Sequence, residues 1–127
     1  MLNPDLVGRT FEGAKGTTIT AQSIADFARA LGESEIDLAP PTYAITISLE
    51  QSQTVLIESG LDWSRVVNGE QKFHVNKPLT AGMSVRCNST IESARAVAGN
   101  EIVTVRSDLI ESGEVVVISW STLVFRA

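Results

Sequence analysis

Apolar residues recur with helical spacing in the stretch TAQSIADFARALGE. Four of them fall on one stripe of an amphipathic helix, at positions i, i+3, i+4 and i+7: Ile24, Phe27, Ala28 and Leu31. Thr20 is a residue type favoured at the N-cap, and Gly32 stands where glycine often ends a helix. The pattern predicts a helix over residues 21–31.

The next apolar segment, PPTYAITISLEQSQTVLIESG, fits two structures. Its alternating apolar residues are typical of a strand: Tyr43, Ile45, Ile47 and Leu49. An apolar helical face is equally consistent: Ile45, Leu49, Ser52 and Leu56. Pro41 suits a first helical turn and Gly60 suits a C-terminal stop. Periodicity alone leaves strand and helix open here.

Strand-like alternation dominates after Trp63. In residues 66–78 one predicted face carries Val67, Gln71, Phe73 and Val75, and the other carries Glu70, Lys72, His74 and Asn76. The next predicted strand has these residues on one face: Met83, Val85, Cys87, Ser89 and Ile91. Connections are marked by Pro78 with Gly82, Gly99 with Asn100, and Ser112 with Gly113. A helix-rich part followed by hairpin-linked strands predicts an α+β fold with an antiparallel sheet, in one domain covering residues 1–127.

Composition and charge narrow the classes of function. The chain has 127 residues, of which 43% are apolar, and this is enough for one hydrophobic core. Fifteen acidic residues against ten basic ones give a net charge of −5, which argues against a non-specific nucleic-acid binder and gives no reason to expect binding to an anionic membrane. The single cysteine, Cys87, excludes an intrachain disulfide and is predicted to be a small buried hydrophobe. Without a signal-peptide pattern or a membrane-length apolar run, a cytoplasmic location is expected.

Three stretches together resemble the N-terminal domain of MaoC-like hydratases and dehydratases: ADFARALGE with APPTYAIT, VVNGEQKFHVNKPLTAGM, and EIVTVRSDLIESGEVVVISWSTLVFR. The middle stretch matches the family pattern at Gly69, Glu70, Gln71, Phe73, Lys77, Pro78, Ala81 and Gly82. Met83 departs from the aspartate that is usual there. The resemblance implies a hot-dog fold, in which a curved antiparallel sheet wraps around a long central helix, here starting near Pro41.

The same resemblance implies a class of substrate. Enzymes of this superfamily act on acyl thioesters of coenzyme A or acyl carrier protein, and add or remove water between a trans-2-enoyl and a (3R)-3-hydroxyacyl chain. Their catalytic members share an Asp…Asn-Pro-x-His segment just before the central helix. This chain has GESEIDLAPPTY there, without a histidine or an Asn-Pro pair, and Asp37 alone cannot form the acid–base pair. We therefore predict no catalytic residue. We also expect no metal and no cofactor.

Some residues remain candidates for other roles. Pro40, Pro41, Thr42 and Tyr43 open the central helix, whose free N–H groups could face a thioester carbonyl, although plain capping fits equally well. Glu50 and Glu58 fall on that helix, where some hot-dog thioesterases use a carboxylate, but solvated roles are favoured. Trp63 and Trp120 are interpreted as core or interface aromatics. His74, the only histidine, is predicted to be a solvated strand residue rather than an acid–base catalyst.

Within the family, the chain resembles the non-catalytic subunit of heterodimeric (3R)-hydroxyacyl-carrier-protein dehydratases. The first hypothesis is a substrate-channel subunit that works with a catalytic hot-dog subunit. The alternatives are a self-sufficient homodimeric thioesterase or hydratase, and a non-catalytic module that binds acyl thioesters. Heterodimer and homodimer both stay open, and association of some kind is expected because a lone hot-dog leaves a sheet edge open.

Overall fold

The computed structural model describes residues 4–13, 17–30 and 44–127. Its two helices are α1 (Ala21–Ala30) and α2 (Ala44–Glu58). The strands are β1 (Thr10–Glu12), β2 (Thr17–Thr18), β3 (Val66–Val75), β4 (Ser84–Val97), β5 (Asn100–Glu111) and β6 (Glu114–Phe125). Short 3₁₀ turns span Pro4–Leu6 and Trp63–Arg65.

The strands form one antiparallel sheet in the order β1-β4-β5-β6-β3, and β2 pairs with β4 beside β1. The long helix α2 packs against β4, β5 and β6. We call the side of the sheet that faces α2 the inner face and the opposite side the outer face. A long helix covered by a curved antiparallel sheet is the α+β hot-dog architecture expected from the sequence, and that expectation is confirmed.

Helix α1 begins with reciprocal capping at Thr20 and Ser23. The Ser23 N–H donates to Thr20 Oγ1 at 3.0 Å, and the Thr20 N–H donates to Ser23 Oγ at 3.2 Å. Ile24 is fully buried, and Phe27 packs against the core. The predicted helix is confirmed over residues 21–30, while Leu31 and Gly32 lie outside the described residues.

Helix α2 resolves the ambiguous segment in favour of the helix. Its C-terminus is closed by Gly60, which has a φ of +95°. The Gly60 N–H donates to the Ile57 carbonyl at 3.0 Å, and the Leu61 N–H donates to the Leu56 carbonyl at 3.1 Å. These two bonds form a Schellman motif, and Leu61 then packs in the same apolar cluster as Leu56. The predicted stop is confirmed, whereas the predicted start at Pro41 lies outside the described residues.

Two tight hairpins connect the three longest strands. Ala98 and Gly99 join β4 to β5 with φ values of 52° and 82°, and Ser112 and Gly113 join β5 to β6 with φ values of 51° and 79°. Positive φ at both central residues is typical of the type I′ turn, whose twist matches that of the flanking strands. Ser112–Gly113 is the hairpin that the sequence predicts. Asn100, expected in a connection, is instead the first residue of β5.

Strand β3 contains a bulge between Asn68 and Glu70. Because a bulge adds one residue, it reverses the alternation of side chains beyond it. Val67 pairs with Val124 and is 45% exposed, whereas Gln71 pairs with the buried Ser121. The prediction that Val67 shares a face with Gln71 is therefore wrong. From Glu70 onward the predicted alternation holds, with Phe73 packed against the core.

Candidate functional site

A band of buried serines crosses the inner face of the sheet and the facing side of α2. Each is no more than 2% exposed: Ser48 and Ser52 of α2, Ser89 of β4, Ser107 of β5, and Ser119 and Ser121 of β6. We call this band the serine seam. An apolar cluster lies on each side of the serine seam along α2, β4, β5 and β6. One cluster contains Ile47, Cys87, Leu109 and Val117, and the other contains Leu56, Ile91, Val105 and Leu123. The core is thus divided by a layer of small polar side chains.

Gln71 of β3 joins the serine seam to the edge of the sheet. Its Nε2 donates to Ser119 Oγ at 2.6 Å, and its Oε1 accepts from Ser121 Oγ at 2.8 Å. Ser48 Oγ in turn donates to Ser119 Oγ at 3.4 Å, which extends the contacts to α2. Among the described residues no buried side-chain nitrogen or oxygen lacks a hydrogen-bond partner. The seam is therefore a satisfied polar layer, which is compatible with burial in a core.

The rest of the seam follows the register of the strands. Ser107 is paired with Ser89 on one side and with Ser119 on the other. The hydroxyls of Ser89 and Ser107 are 3.4 Å apart, and Ser52 Oγ donates to the Ser48 carbonyl at 2.8 Å. Serine adds little bulk, so α2 can approach the sheet closely where the two meet. The sequence contains a signal for the serine seam: serines stand at inward positions of β4, β5 and β6, and Ser48 and Ser52 have the i, i+4 spacing of one helical face.

The seam offers hydrogen bonds but no acid–base group. A serine hydroxyl needs an adjacent base to act as a nucleophile, and no charged or imidazole side chain takes part in the hydrogen bonds of the seam among the described residues. Cys87 lies beside it, with Sγ 3.9 Å from Ser89 Oγ. Burial raises the pKa of the Cys87 thiol, so the neutral thiol rather than the nucleophilic thiolate is favoured.

His74 lies away from the seam. It is exposed, and it pairs with Ile118 at a position of β3 between the inward-facing Phe73 and the strand end. Side chains alternate along a strand, so the His74 imidazole is on the outer face while Gln71 and Phe73 are on the inner one. The predicted solvated strand position of His74 is confirmed.

The residues predicted to bind a thioester, Pro40, Pro41, Thr42 and Tyr43, lie outside the described residues, as does Asp37. Their role stays a prediction. They directly precede Ala44, the first residue of α2, and Ser48 of the seam follows one turn later. Glu50 and Glu58 are both exposed on α2, which agrees with the solvated roles favoured for them.

The two tryptophans occupy different environments. Trp63 packs edge-on against Phe125, with ring centres 6.0 Å apart, and its expected core role is confirmed. Trp120 is half-buried on the outer face, where the Arg106 guanidinium lies 5.9 Å from the ring centre and is held by Asp108 at 2.9 Å. Trp120 also borders an open groove of about 490 Å³, together with Glu70, Lys72, Glu92, Thr104 and Thr122.

No helix in the described part of the chain is long and apolar enough to cross a membrane. Across residues 4–13, 17–30 and 44–127, no group of three or more histidine, cysteine, aspartate or glutamate side chains is arranged to hold a metal ion.

Comparisons with known proteins agree on the fold. Residues 5–119 match the family model described as FAS1-like, dehydratase domain region. A UPF0336 protein of Streptomyces griseus is 43% identical over 122 residues, which cover 94% of this chain and 81% of that protein.

Solved structures with the same fold are more distant in sequence. One chain of the C-terminally truncated HadBC (3R-hydroxyacyl-ACP dehydratase) complex of Mycobacterium tuberculosis superposes with a TM-score of 0.80 and 23% identity, covering 97% of this chain and 99% of that one. HtdX of the same organism gives a TM-score of 0.82 at 14% identity, covering 93% of this chain but 51% of that one. At these identities the likeness shows the fold alone.

Proposed function

We propose that this chain, which belongs to the family of FAS1-like dehydratase domain regions, is the substrate-channel or stabilising subunit of a (3R)-hydroxyacyl-thioester dehydratase. It carries no catalytic acid–base pair of its own. It acts in the cytoplasm, in fatty acid metabolism, on acyl thioesters of coenzyme A or acyl carrier protein. Its partner is a catalytic hot-dog subunit, and residues 40–43 contact the substrate.

The observation that carries this proposal is the position of His74. Dehydration of a 3-hydroxyacyl thioester needs a base that takes the α-proton and an acid that protonates the leaving hydroxyl. His74 is the only histidine of the chain, and it is exposed on the outer face. The inner face of the sheet, which faces the central helix, instead carries Gln71, Ser119 and Ser121 in this part of the fold. These side chains form hydrogen bonds but do not titrate near neutral pH.

The shape of the sheet supports a partner subunit. On one side the sheet ends in the short strands β1 and β2, which are weak templates for further pairing. On the other side it ends in β3, a ten-residue strand with one neighbour, β6, among the described strands. The similar fold in HadBC was solved as part of a complex, and in HtdX the similar region covers 51% of a longer chain. In both proteins the domain that resembles this chain is therefore accompanied by further polypeptide.

The alternative of a self-sufficient thioesterase has less support. It would use a carboxylate of the central helix, and the candidates Glu50 and Glu58 are exposed. A general base in that role needs a sheltered site beside the thioester, where burial raises its pKa towards neutrality. The third hypothesis, a non-catalytic module that binds acyl thioesters, differs from the main proposal only in lacking a catalytic partner.

The test is a three-way comparison of initial rates, followed by loss of enoyl absorbance with crotonyl-CoA and with longer enoyl thioesters. The chain alone should give background rates, because a general acid or base supplies on the order of 10²–10⁴-fold each. Adding a catalytic hot-dog subunit, identified by pull-down and mass spectrometry from the native cell, should give turnover on long chains above that of the subunit alone. Mutation of the catalytic subunit's aspartate or histidine should abolish that turnover.

Robust turnover by the highly purified chain alone would overturn the non-catalytic assignment and direct attention to Asp37, Tyr43 and Glu50. A mixture no faster than the catalytic subunit alone, on every chain length, would overturn the channel role.

A further inference from the structure

The outer face of the sheet has a groove that the proposed function does not use. Its volume of about 490 Å³ is in the usual range of small-molecule sites. We call it the outer groove, and six side chains from four strands line it: Glu70, Lys72, Glu92, Thr104, Trp120 and Thr122. We propose that the outer groove binds a neutral carbohydrate, a short chain of pyranose rings of which one packs on Trp120.

Two β-bulges shape the ends of the outer groove. One, in β3, immediately precedes Glu70, and the other, in β4, lies between Ile91 and Ser93 and leaves Glu92 as the extra, unpaired residue. Bulges re-aim side chains and are frequent beside functional sites. Glu92 is exposed and makes no ion pair with any described residue. Each end of the groove therefore carries a carboxylate next to a bulge.

Hydroxyl groups lie between the two carboxylates. Glu70 pairs with Thr122, and Thr122 pairs in turn with Thr104, whose Oγ1 is 3.4 Å from that of Thr122. Neighbouring strands are about 4.8 Å apart, so the row from Glu70 across four strands to Glu92 is roughly 14 Å long. A carboxylate only accepts hydrogen bonds, whereas a hydroxyl both donates and accepts. The row therefore suits a ligand that has hydroxyl groups along its whole length.

Trp120 gives the groove an apolar surface beside this polar row. It pairs with Lys72 on one side and with Arg106 on the other. The Arg106 guanidinium lies 5.9 Å from the centre of the Trp120 ring, and its Nε is 2.9 Å from the Asp108 carboxylate, so these contacts hold the indole in place. A pyranose ring has a flat C–H face that packs on an aromatic surface while its hydroxyls point sideways to polar groups.

The charges around the groove disfavour charged ligands of either sign. An anion would meet the carboxylates of Glu70 and Glu92, and the Lys72 ammonium is already paired with Glu70 at 3.5 Å. A cation placed on Trp120 would lie between Lys72 and Arg106. A neutral carbohydrate avoids both conflicts, because its hydroxyls donate to the carboxylates and accept from the ammonium in charge-assisted hydrogen bonds.

The test measures binding to the full chain by isothermal titration calorimetry, with maltotriose, cellotriose and mannotriose as the probes. At least one of them should bind with a dissociation constant of about 1 mM or lower. Trp120→Ala removes the apolar surface, and Glu92→Gln replaces a charged acceptor by a neutral amide of the same shape. Each should raise the dissociation constant about tenfold or more.

The matched control is Glu114→Gln, which makes the same change at an exposed position of β6 outside the groove and should leave binding unchanged. Far-UV circular dichroism checks the folding of each variant. Because Glu92 is exposed, Glu92→Gln tests the site even if Trp120→Ala proves unstable. The affinity should be the same at about 0.1 M and 1 M salt, because the ligand has no charge to be screened.

Nuclear magnetic resonance locates the bound sugar. In the ¹H–¹⁵N spectrum the indole N–H signal of Trp120 should move during the titration. The signal of Trp63 should stay in place, because that ring packs against Phe125 at the apolar core. Adenosine, adenosine monophosphate and spermidine serve as comparison ligands: a neutral ring system whose hydroxyls are confined to one end, an anion and a cation.

Three results would overturn the inference: no binding of any of the three sugars up to about 10 mM, binding that neither Trp120→Ala nor Glu92→Gln weakens, or tighter binding of a comparison ligand in the groove than of every sugar. The inference does not rest on the proposed function, because the groove lies on the side of the sheet opposite α2. Failure of sugar binding leaves the rate comparison of the assembled subunits untouched, and failure of that comparison leaves sugar binding standing.

Discussion

The side-chain amide nitrogen of Gln71 lies 2.6 Å from the hydroxyl oxygen of the fully buried Ser119. Gln71 belongs to the edge strand β3 and Ser119 to its neighbour β6, where Ser119 also receives a hydrogen bond from Ser48 of the central helix. A residue at the rim of the sheet is thereby connected to α2 through one buried hydroxyl. The positions of the edge strand β3 and of the helix α2 are therefore coupled through Ser119.

Gln71→Ala should therefore lower the free energy of unfolding by about 1–3 kcal/mol, because Ser119 and Ser121 both lose a buried hydrogen-bond partner. The matched control is His74→Ala on the same strand, whose exposed side chain should change stability by no more than about 0.5 kcal/mol. Urea unfolding at one fixed protein concentration gives both values. Equal effects of the two variants would contradict the role of the Gln71 amide.

Leu56 and Ile57 are neighbours on α2 with opposite environments, since Leu56 is fully buried and Ile57 is 48% exposed. Leu56→Ala should cost about 2–5 kcal/mol, because it removes buried apolar surface and leaves a cavity. Ile57→Ala should cost well under half of that, because part of the side chain is already in contact with water. Similar costs in urea unfolding would mean that the outer side of α2 is buried in the solution assembly.

Cys87 gives a prediction about pH. Burial raises the pKa of the thiol in the folded protein, so the folded state holds this proton more tightly than the unfolded state does. The contribution of Cys87 to stability is fully present below the pKa of the unfolded thiol. It is lost as the pH rises from that value through the higher folded pKa.

Stability measured by urea unfolding between neutral and alkaline pH should show this loss in wild type, and Cys87→Ala should remove that component of the pH dependence. The thiol should also react slowly with a disulfide reagent at neutral pH until urea unfolds the chain. Rapid reaction of the native protein would show that Cys87 is accessible.

His74→Ala should leave the activity of any assembly within a few-fold of wild type, because the imidazole is exposed on the outer face. The measurement is kcat/KM of the reconstituted complex on an enoyl thioester. A loss of 100-fold or more, corresponding to about 2.7 kcal/mol of activation barrier, would place His74 in the catalytic machinery.

Several features followed from local sequence. The apolar spacing around Ile24 with Thr20 before it predicts α1, because capping and amphipathic burial act over a single helix. Gly60 and Ser112–Gly113 mark backbone positions with positive φ, where few residue types fit. Alternation in β4 correctly placed Cys87 and Ser89 inward, because no bulge intervenes before Ile91.

Other features needed the tertiary structure. Residues 44–58 carry apolar groups compatible with strand or helix, and only enclosure by the sheet makes the helix the better way to bury them. The bulge beside Gly69 reverses the face of Val67, and alternation alone does not reveal it. The serine seam forms because three strands and a helix converge, and Gln71 of a fourth strand hydrogen-bonds to it, for example with Ser121, which is 50 positions away in the chain.

The sequence by itself determined which local elements form, that the chain has one histidine and one cysteine, and that GESEIDLAPPTY contains no histidine. These are properties of composition and short-range spacing. Alternation along β3 also set His74 on the face opposite Gln71 and Phe73. Only the tertiary structure decided that Val67 lies on the outer face, that the serines of the helix and of three strands meet in one seam, and that β3 is a free edge among the described strands. Which face of the sheet a side chain occupies, and which strand lies at the edge, depend on segments that are distant in sequence. They are determined by strand pairing and by burial against α2.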